Sequence, residues 1–333
     1  MQLKLINHFG TSLVARTLSL FAFGFPVALP EVSFADLSVE RSEAGAIVKI
    51  DGELFAEYRT ASGPQPAIWP IIGPTGRPIT RSYPVGPALE HEEEDHPHHR
   101  SLWFAHGIVN GHDFWLNPKE ELKDGLTNGI IHREFAKIDS DGQHAVIVTH
   151  NDWNSDGKKI CEDERTVIFG AEGEMRWIDF TVEIRASEED VTFGDTKEGA
   201  FAVRVAGTMK VDARMGGRIV NSRGQLDSEA WGQPAEWVDY CGPLDGETVG
   251  IAILSHPSND RHPCLWHVRN YGLFAANPFG QHHFPHSDVM QGAVTIPAGD
   301  SLTLRYRVVF HRCDTQEANI ENVYRDFAAH STN

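Results

Sequence analysis

The chain has 333 residues, 41% of them hydrophobic, and a formal net charge of −18. That apolar content supports a sizeable core and excludes wholesale disorder. The acidic field excludes nucleic acid and anionic membrane surfaces as partners, and favours a small molecule or a pocket with its own positive charge.

In chain order the first feature is a leader. Lys4 and Arg16 precede an apolar run at 18–29, and Ser33-Phe34-Ala35 offers small residues where a signal peptidase reads, ahead of Asp36. The run is too short, and too broken by Pro26, for a membrane span, and no later stretch is long enough. The expectation is a signal peptide over 1–35, a single β-sandwich domain over 36–333, and a periplasmic or secreted protein.

Period-two alternation follows. In 177–185, Ile178, Phe180, Val182 and Ile184 face one way and Asp179, Thr181 and Glu183 the other; in 302–310, Leu302, Leu304, Tyr306, Val308 and Phe310 repeat the pattern. These read as half-buried antiparallel strands. Shorter strands are predicted at 46–50, 145–149, 165–169, 201–206, 218–221 and 249–254. Asp51-Gly52, Asp141-Gly142, Asp156-Gly157, Asp245-Gly246 and the run at 297–300 mark turns. A helix is predicted over 315–330, where Ile320, Val323, Tyr324 and Phe327 form one stripe, capped by Asp314 or Thr315 with Glu317 in its first turn. The fold class is mainly β: a large antiparallel, supersandwich-like β-sandwich with one C-terminal helix. Cys161, Cys241, Cys264 and Cys313 form no CxxC pair, which excludes a zinc ribbon; disulfides and buried thiols both fit.

The chemistry concentrates in two windows that hold twelve of the 18 histidines. His91, His96, His98, His99, His106 and His112 fall within 90–115, and His256, His262, His267, His282, His283 and His286 within 256–286. Imidazole titrates near neutrality, ligates metals, and both donates and accepts protons, so two such windows predict two loops meeting in one polar pocket. Pro97 holds the first window extended or turning, which places His96 and His98 on one face as candidate metal ligands. No glutamate follows at cupin spacing, so acid–base chemistry is the leading expectation, with His98, His99, Glu198 and His267 as its catalytic groups. Arg100, Trp103, His106, Asp195, Lys197, Trp266 and Asn277 are the candidate substrate-binding residues: a guanidinium fork for hydroxyls or carboxylates, and indole faces for a sugar ring. Glu92, Glu93 and Glu94 read as a solvated loop, and His282, His283 and His286 as loop surface. Asn221, Glu229, Trp231 and Trp237 mark a further loop placed to close over a pocket.

The strings DHPHHRSLWFAHGIVNGHDFW, GDTKEGAFAVRVAG, NSRGQLDSEAWGQPAEWVDYCG and HPSNDRHPCLWHVRNYGLFAANPFG together resemble an uncharacterised bacterial family whose members often carry the label "methane oxygenase PmoA". The resemblance spans roughly residues 80–313; Cys313 stands where the family commonly has glycine. Methane oxygenase subunits sit in membranes on several apolar helices, which this chain lacks, so that activity is set aside. Such chains fit, by analogy, the galactose-mutarotase type of β-sandwich, where histidine and a carboxylate act on a sugar from loops on the concave sheet. The resemblance implies carbohydrate breakdown. The functional expectation is an exported epimerase, lyase or hydrolase acting on a sugar or glycoside. The alternatives are a metal-dependent enzyme using the same histidines and a non-catalytic carbohydrate-binding module. No cofactor is expected beyond a transition metal in the first of these alternatives.

Overall fold

The structure, a computed structural model, describes residues 35–116, 128–285 and 292–329. The predicted leader, but for Ala35, lies outside the described residues, as does His286. Among the described residues eighteen strands follow in chain order: β1 (Leu37–Arg41), β2 (Gly45–Ile50), β3 (Glu53–Ser62), β4 (Gln65–Ile71), β5 (Leu102–His106), β6 (Gly129–Ser140), β7 (His144–Ser155), β8 (Lys158–Glu172), β9 (Met175–Arg185), β10 (Val191–Phe193), β11 (Gly199–Arg204), β12 (Arg218–Asn221), β13 (Trp237–Leu244), β14 (Glu247–Ser255), β15 (Leu265–Val268), β16 (Leu273–Asn277), β17 (Val294–Ile296) and β18 (Ser301–Arg312). One α-helix, α1 (Ile320–Ala329), closes the described chain.

The strands form two eight-stranded antiparallel sheets. The first runs β1-β2-β3-β4-β5-β11-β16-β15 and the second β12-β13-β14-β18-β9-β8-β7-β6; β10 and β17 pair by themselves. The fold is therefore mainly β with a single C-terminal helix, as the alternation of 177–185 and 302–310 requires. Three Asp-Gly turns close hairpins with both residues left-handed: Asp51 and Gly52 (φ 53° and 82°), Asp156 and Gly157 (51° and 72°), Asp245 and Gly246 (55° and 84°). That geometry matches the strand twist and explains why the dipeptide marks hairpins.

The inner faces of the sheets interdigitate through aromatic rings. Phe201 of β11 stacks on Tyr306 of β18 at 4.7 Å and meets Phe180 of β9 at 4.9 Å. Phe55 of β3 meets Phe169 of β8 and Phe310 of β18 edge-on at 6.0 and 6.1 Å. On the outer face of the second sheet, Ile320 and Phe327 of α1 pack with Trp237, Leu254 and Val309, and Val323 and Tyr324 lie against the same cluster. The apolar stripe is as predicted, but the helix begins at Ile320, not Thr315. Asp314 caps a separate turn, accepting from the Gln316 and Glu317 amides at 2.9 and 3.0 Å, and Asn319 then turns left-handed (φ 53°). The four cysteines are unpaired; Cys313 is exposed and the other three are buried.

Because Phe201 ties the sheets together from the centre of the core, Phe201→Ala should lower stability by about 3–5 kcal/mol. Urea denaturation checks this; a midpoint equal to wild type would refute the ring's bridging role.

Candidate functional site

The site is built on four adjacent strands that are far apart in sequence. Trp103 of β5 pairs with Ala202 of β11, Ala202 with Ala275 of β16, and Ala275 with His267 of β15. Paired residues share a face, so these four form one row, with Trp103 and His267 about 14 Å apart along it. Phe104 and Phe201 alternate to the opposite, inner face and meet Phe180 of the second sheet. The row therefore lies on the outer face, its middle a low floor of alanines.

Above one end of this row sits the loop that carries the first histidine window. Arg81 organises it. Its guanidinium donates to Asp95 Oδ1 at 2.6 Å and to the carbonyls of Asp95, His96 and His99 at 3.0, 2.8 and 3.1 Å. Arg204, rising from the end of β11, donates to Asp95 Oδ1 and to His99 Nδ1, both at 3.2 Å, and lies 4.6 Å over the Tyr271 ring. Glu92 accepts from the Ser82, Tyr83 and Leu89 amides at 2.9, 3.1 and 3.1 Å, and Glu93 Oε1 pairs with buried Lys210 at 2.6 Å. Glu92 and Glu93 are thus anchors of the loop, which corrects the expectation of a solvated run; Glu94 is exposed as expected.

These anchors bring His96, His98 and His99 together. Their ligand atoms lie within 4.8 Å of one another. His96 stacks on His99 at 4.8 Å and on Tyr271 at 5.4 Å, His99 covers Trp103 at 5.5 Å, and His98 stands edge-on to His99 at 4.4 Å. Burial first, then the cations around them, pushes all three imidazoles down: His98 to about 4 by burial, His96, Arg81, Arg204 and Arg100, and His99 well below its usual value. They are uncharged at neutral pH.

Of the second window, Tyr271 touches the first by stacking on His96 at 5.4 Å. His267 is pushed down to about 3 by burial and by Lys197, Arg269, His283 and His96. Its Nδ1 accepts from the Trp231 indole at 3.0 Å. An indole only donates, so the neutral His267 ring carries its proton on Nε2; the same logic, with Arg204 as donor, places the His99 proton on Nε2. Lys197 and Glu198, which immediately precede β11, form an ion pair. Burial lowers both His96 and His283, with the nearby carboxylates, Asp95 for the first and Asp195 and then Glu198 for the second, opposing it. His98 and His267, held at about 4 and about 3 chiefly by burial, are weak bases at neutral pH and are suited to act as neutral ligands or N–H donors.

Other sequence candidates lie elsewhere. Trp266 alternates to the inner face, buried, its indole bonded to the Ala235 carbonyl at 2.9 Å. Trp103 is buried beneath His99 and presents no open face. Arg100 turns toward the β3–β4 hairpin and reaches Ser62 Oγ at 3.4 Å. Asn277 staples a turn, donating to the Thr196 carbonyl and accepting from the Phe279 and Gly280 amides at 2.9, 3.0 and 2.9 Å. Asp195 holds a loop through the Gln281, His282 and Gly292 amides at 2.7, 3.1 and 2.8 Å. His106 is buried on the inner face, with Nε2–H donating to the Gly194 carbonyl at 2.7 Å. Sequence reasoning missed Arg81, Arg204 and Tyr271. Arg204 left a signal, a lone cation inside the apolar run 200–206; Arg81 and Tyr271 left none. Of the loop expected to close over a pocket, Trp231 meets His267, but Asn221 and Trp237 belong to β12 and β13 of the second sheet, with Trp237 against α1.

A second group, Asp239, Cys241 and His311, also brings its ligand atoms within 4.8 Å, on the other sheet. The described residues thus hold two clusters consistent with a metal-binding or catalytic site.

Two outcomes follow from this geometry. Arg81→Met leaves Asp95 and the loop carbonyls without their donor, so stability should fall by on the order of 3 kcal/mol in urea denaturation; an unchanged midpoint would show the loop orders itself. His106, pushed by burial to about 4, binds its proton less readily folded than unfolded, where it titrates near 6.5. Its contribution is therefore complete above about pH 6.5 and lost as pH falls toward 4, by roughly 2 kcal/mol between pH 6.5 and 5. Unfolding free energies of wild type and His106→Gln at the two pH values should differ by that amount; parallel curves would contradict it.

No helix among the described residues is long and apolar enough to cross a membrane. No curated protein matches this chain. A family described as "Family of unknown function (DUF6807)" matches residues 46–325, from β2 into α1. That description names neither a methane oxygenase nor a mutarotase. With the second sheet and all of the first but β1 and Gly45 inside the matched span, the chain belongs to the DUF6807 family.

Proposed function

We propose that this protein is an exported metal-dependent enzyme centred on His96, His98 and His99, acting on a small hydroxylated substrate of the sugar class. The observation that carries this reading is the convergence of three uncharged imidazoles, with ligand atoms within 4.8 Å, beside Tyr271 of the second window. An all-imidazole set suits zinc, copper, iron or nickel. Among the described residues no hydrogen bond engages the ring nitrogens of His96 or His98, so these two would hold the ion. His99 adds a third nitrogen only by releasing Arg204, and otherwise donates through Nε2. A bound ion would polarise a substrate carbonyl or acidify water. The chain's own groups do the rest: Glu198, beside Lys197, accepts a proton, and His267 donates from the far end of the alanine floor. The sugar class rests on the donor-rich wall and the family resemblance; export rests on the leader sequence.

Elemental analysis of untagged protein tests the reading. His96→Ala/His98→Ala should lose one metal equivalent while folding, and activity on a glycan and keto-sugar panel should drop by about 10²-fold or more. A metal content identical to wild type would overturn it. One observation favours a metal-free alternative: Arg204 and Trp231 fix His99 and His267 as N–H donors across one floor. Turnover that resists chelators but fails in His267→Ala would carry that alternative instead.

A further inference from the structure

The outer face of the second sheet carries a group that the histidine centre does not use. Asp239 and Cys241 lie two residues apart on β13, so their side chains share a face. Cys241 pairs with Gly250 of β14, and Gly250 with His311 of β18. The glycine makes the arrangement: a Cβ there would stand 2.2 Å from His311 Nε2 and 3.0 Å from Cys241 Sγ. With no Cβ in the way, the imidazole lies over Gly250. Its Nε2 comes 3.1 Å from Asp239 Oδ1, and Cys241 Sγ comes 3.1 Å from Asp239 Oδ2. All three side chains are buried.

We propose that Asp239, Cys241 and His311 form a Zn2+ site, independent of the His96–His98–His99 centre. Zinc bonds of ~2.3 Å to sulfur and ~2.0 Å to nitrogen or oxygen place tetrahedral ligand atoms roughly 3.3–3.6 Å apart; here the carboxylate meets the imidazole and the thiol at 3.1 Å, one through each oxygen, and the ligand atoms all lie within 4.8 Å of one another. His311 Nδ1 donates to the Arg312 carbonyl at 2.9 Å. That outer hydrogen bond is the one zinc-ligating histidines make, because it fixes the ring and directs Nε2 inward. The thiol donates to the carboxylate and not to the imidazole, so the group is not built as a cysteine nucleophile with its base.

The charges balance on binding. As hydrogen-bonded, the group is neutral: an imidazolium protonated at both nitrogens, a carboxylate, and a thiol. The entering Zn2+ displaces the Nε2 proton and the thiol proton to solvent. It leaves neutral imidazole, carboxylate and thiolate around a dication, again neutral. A buried site accepts such an exchange without an uncompensated charge. Cys241 and Thr315 also reach the wall of a cavity of about 840 Å3 under the start of α1, lined further by Asn221, Trp237 and Arg325. The cavity gives the ion an entry path, and gives its fourth position to water or a small anion.

Cobalt titration of the metal-stripped full chain, followed by absorbance, tests the site. One cobalt per chain, beyond any taken up by the histidine centre, should bind with a thiolate-to-cobalt band in the near ultraviolet, and zinc should displace it. The band should vanish in Cys241→Ser and in Gly250→Ala, where the added methyl evicts the imidazole. It should persist in Cys313→Ser and in His96→Ala/His98→Ala, which separates this site from the histidine centre. A wild-type titration without a thiolate band, or a band that survives Cys241→Ser, overturns the proposal. Should Cys241→Ser fail to fold, the wild-type titration alone decides.

Discussion

Two buried guanidinium groups set the geometry on which the histidine centre depends. Arg81 and Arg204 are removed from water, and an unpaired charge there would cost several kcal/mol. Their compensation comes from one short stretch of chain: the Asp95 carboxylate, shared by both, and the carbonyls of Asp95, His96 and His99. That stretch belongs to no strand or helix, and His96 within it is left-handed (φ 42°). The cations therefore order the loop, and the loop satisfies the cations. Burial keeps the imidazoles neutral, and the two guanidinium groups beside them, of the sign the rings would acquire, add to it.

Topology supplies the second half of the site. The two histidine windows lie more than a hundred residues apart, yet β5 and β15 are separated by only β11 and β16. The alanines on those middle strands keep the floor low enough for both windows to reach across it. With bulkier residues at Ala202 and Ala275, the row from Trp103 to His267 would be filled by its own side chains.

This also explains what the sequence disclosed and what it hid. The β9 and β18 strands alternate because one side faces the core and the other does not, so their period was readable, as were the Asp-Gly hairpins. The strands under the site, β5, β11 and β16, are buried along their whole length. Burial on both faces erases the alternation, so the elements that position the chemistry carried the weakest signal. Of the strands predicted around them, 201–206 was found because its apolar run was long. Arg204 within it looked like an interruption, yet it is the residue that turns toward the histidines. The crowding of histidines into two windows was legible from composition alone. The separate tasks of Trp266, Asn277 and Asp195 were not, since they depend on which face each residue takes and on amides supplied by distant loops.

The two clusters invite the same description, three ligand atoms within 4.8 Å, but their outer partners assign them different chemistry. At His311 a carbonyl faces Nδ1, which obliges that nitrogen to hold a proton and turns Nε2 toward Asp239 and Cys241. At His99 a guanidinium faces Nδ1, which obliges that nitrogen to accept and leaves the proton on Nε2. One ring is thus prepared to ligate and the other to donate. The group that chooses is outside the cluster in both cases: a strand carbonyl in one, a buried arginine in the other. Proximity of imidazoles is therefore a weaker guide to metal binding than the hydrogen bond on the far side of each ring, and by that measure the strength of the histidine centre as a metal site rests on His96 and His98.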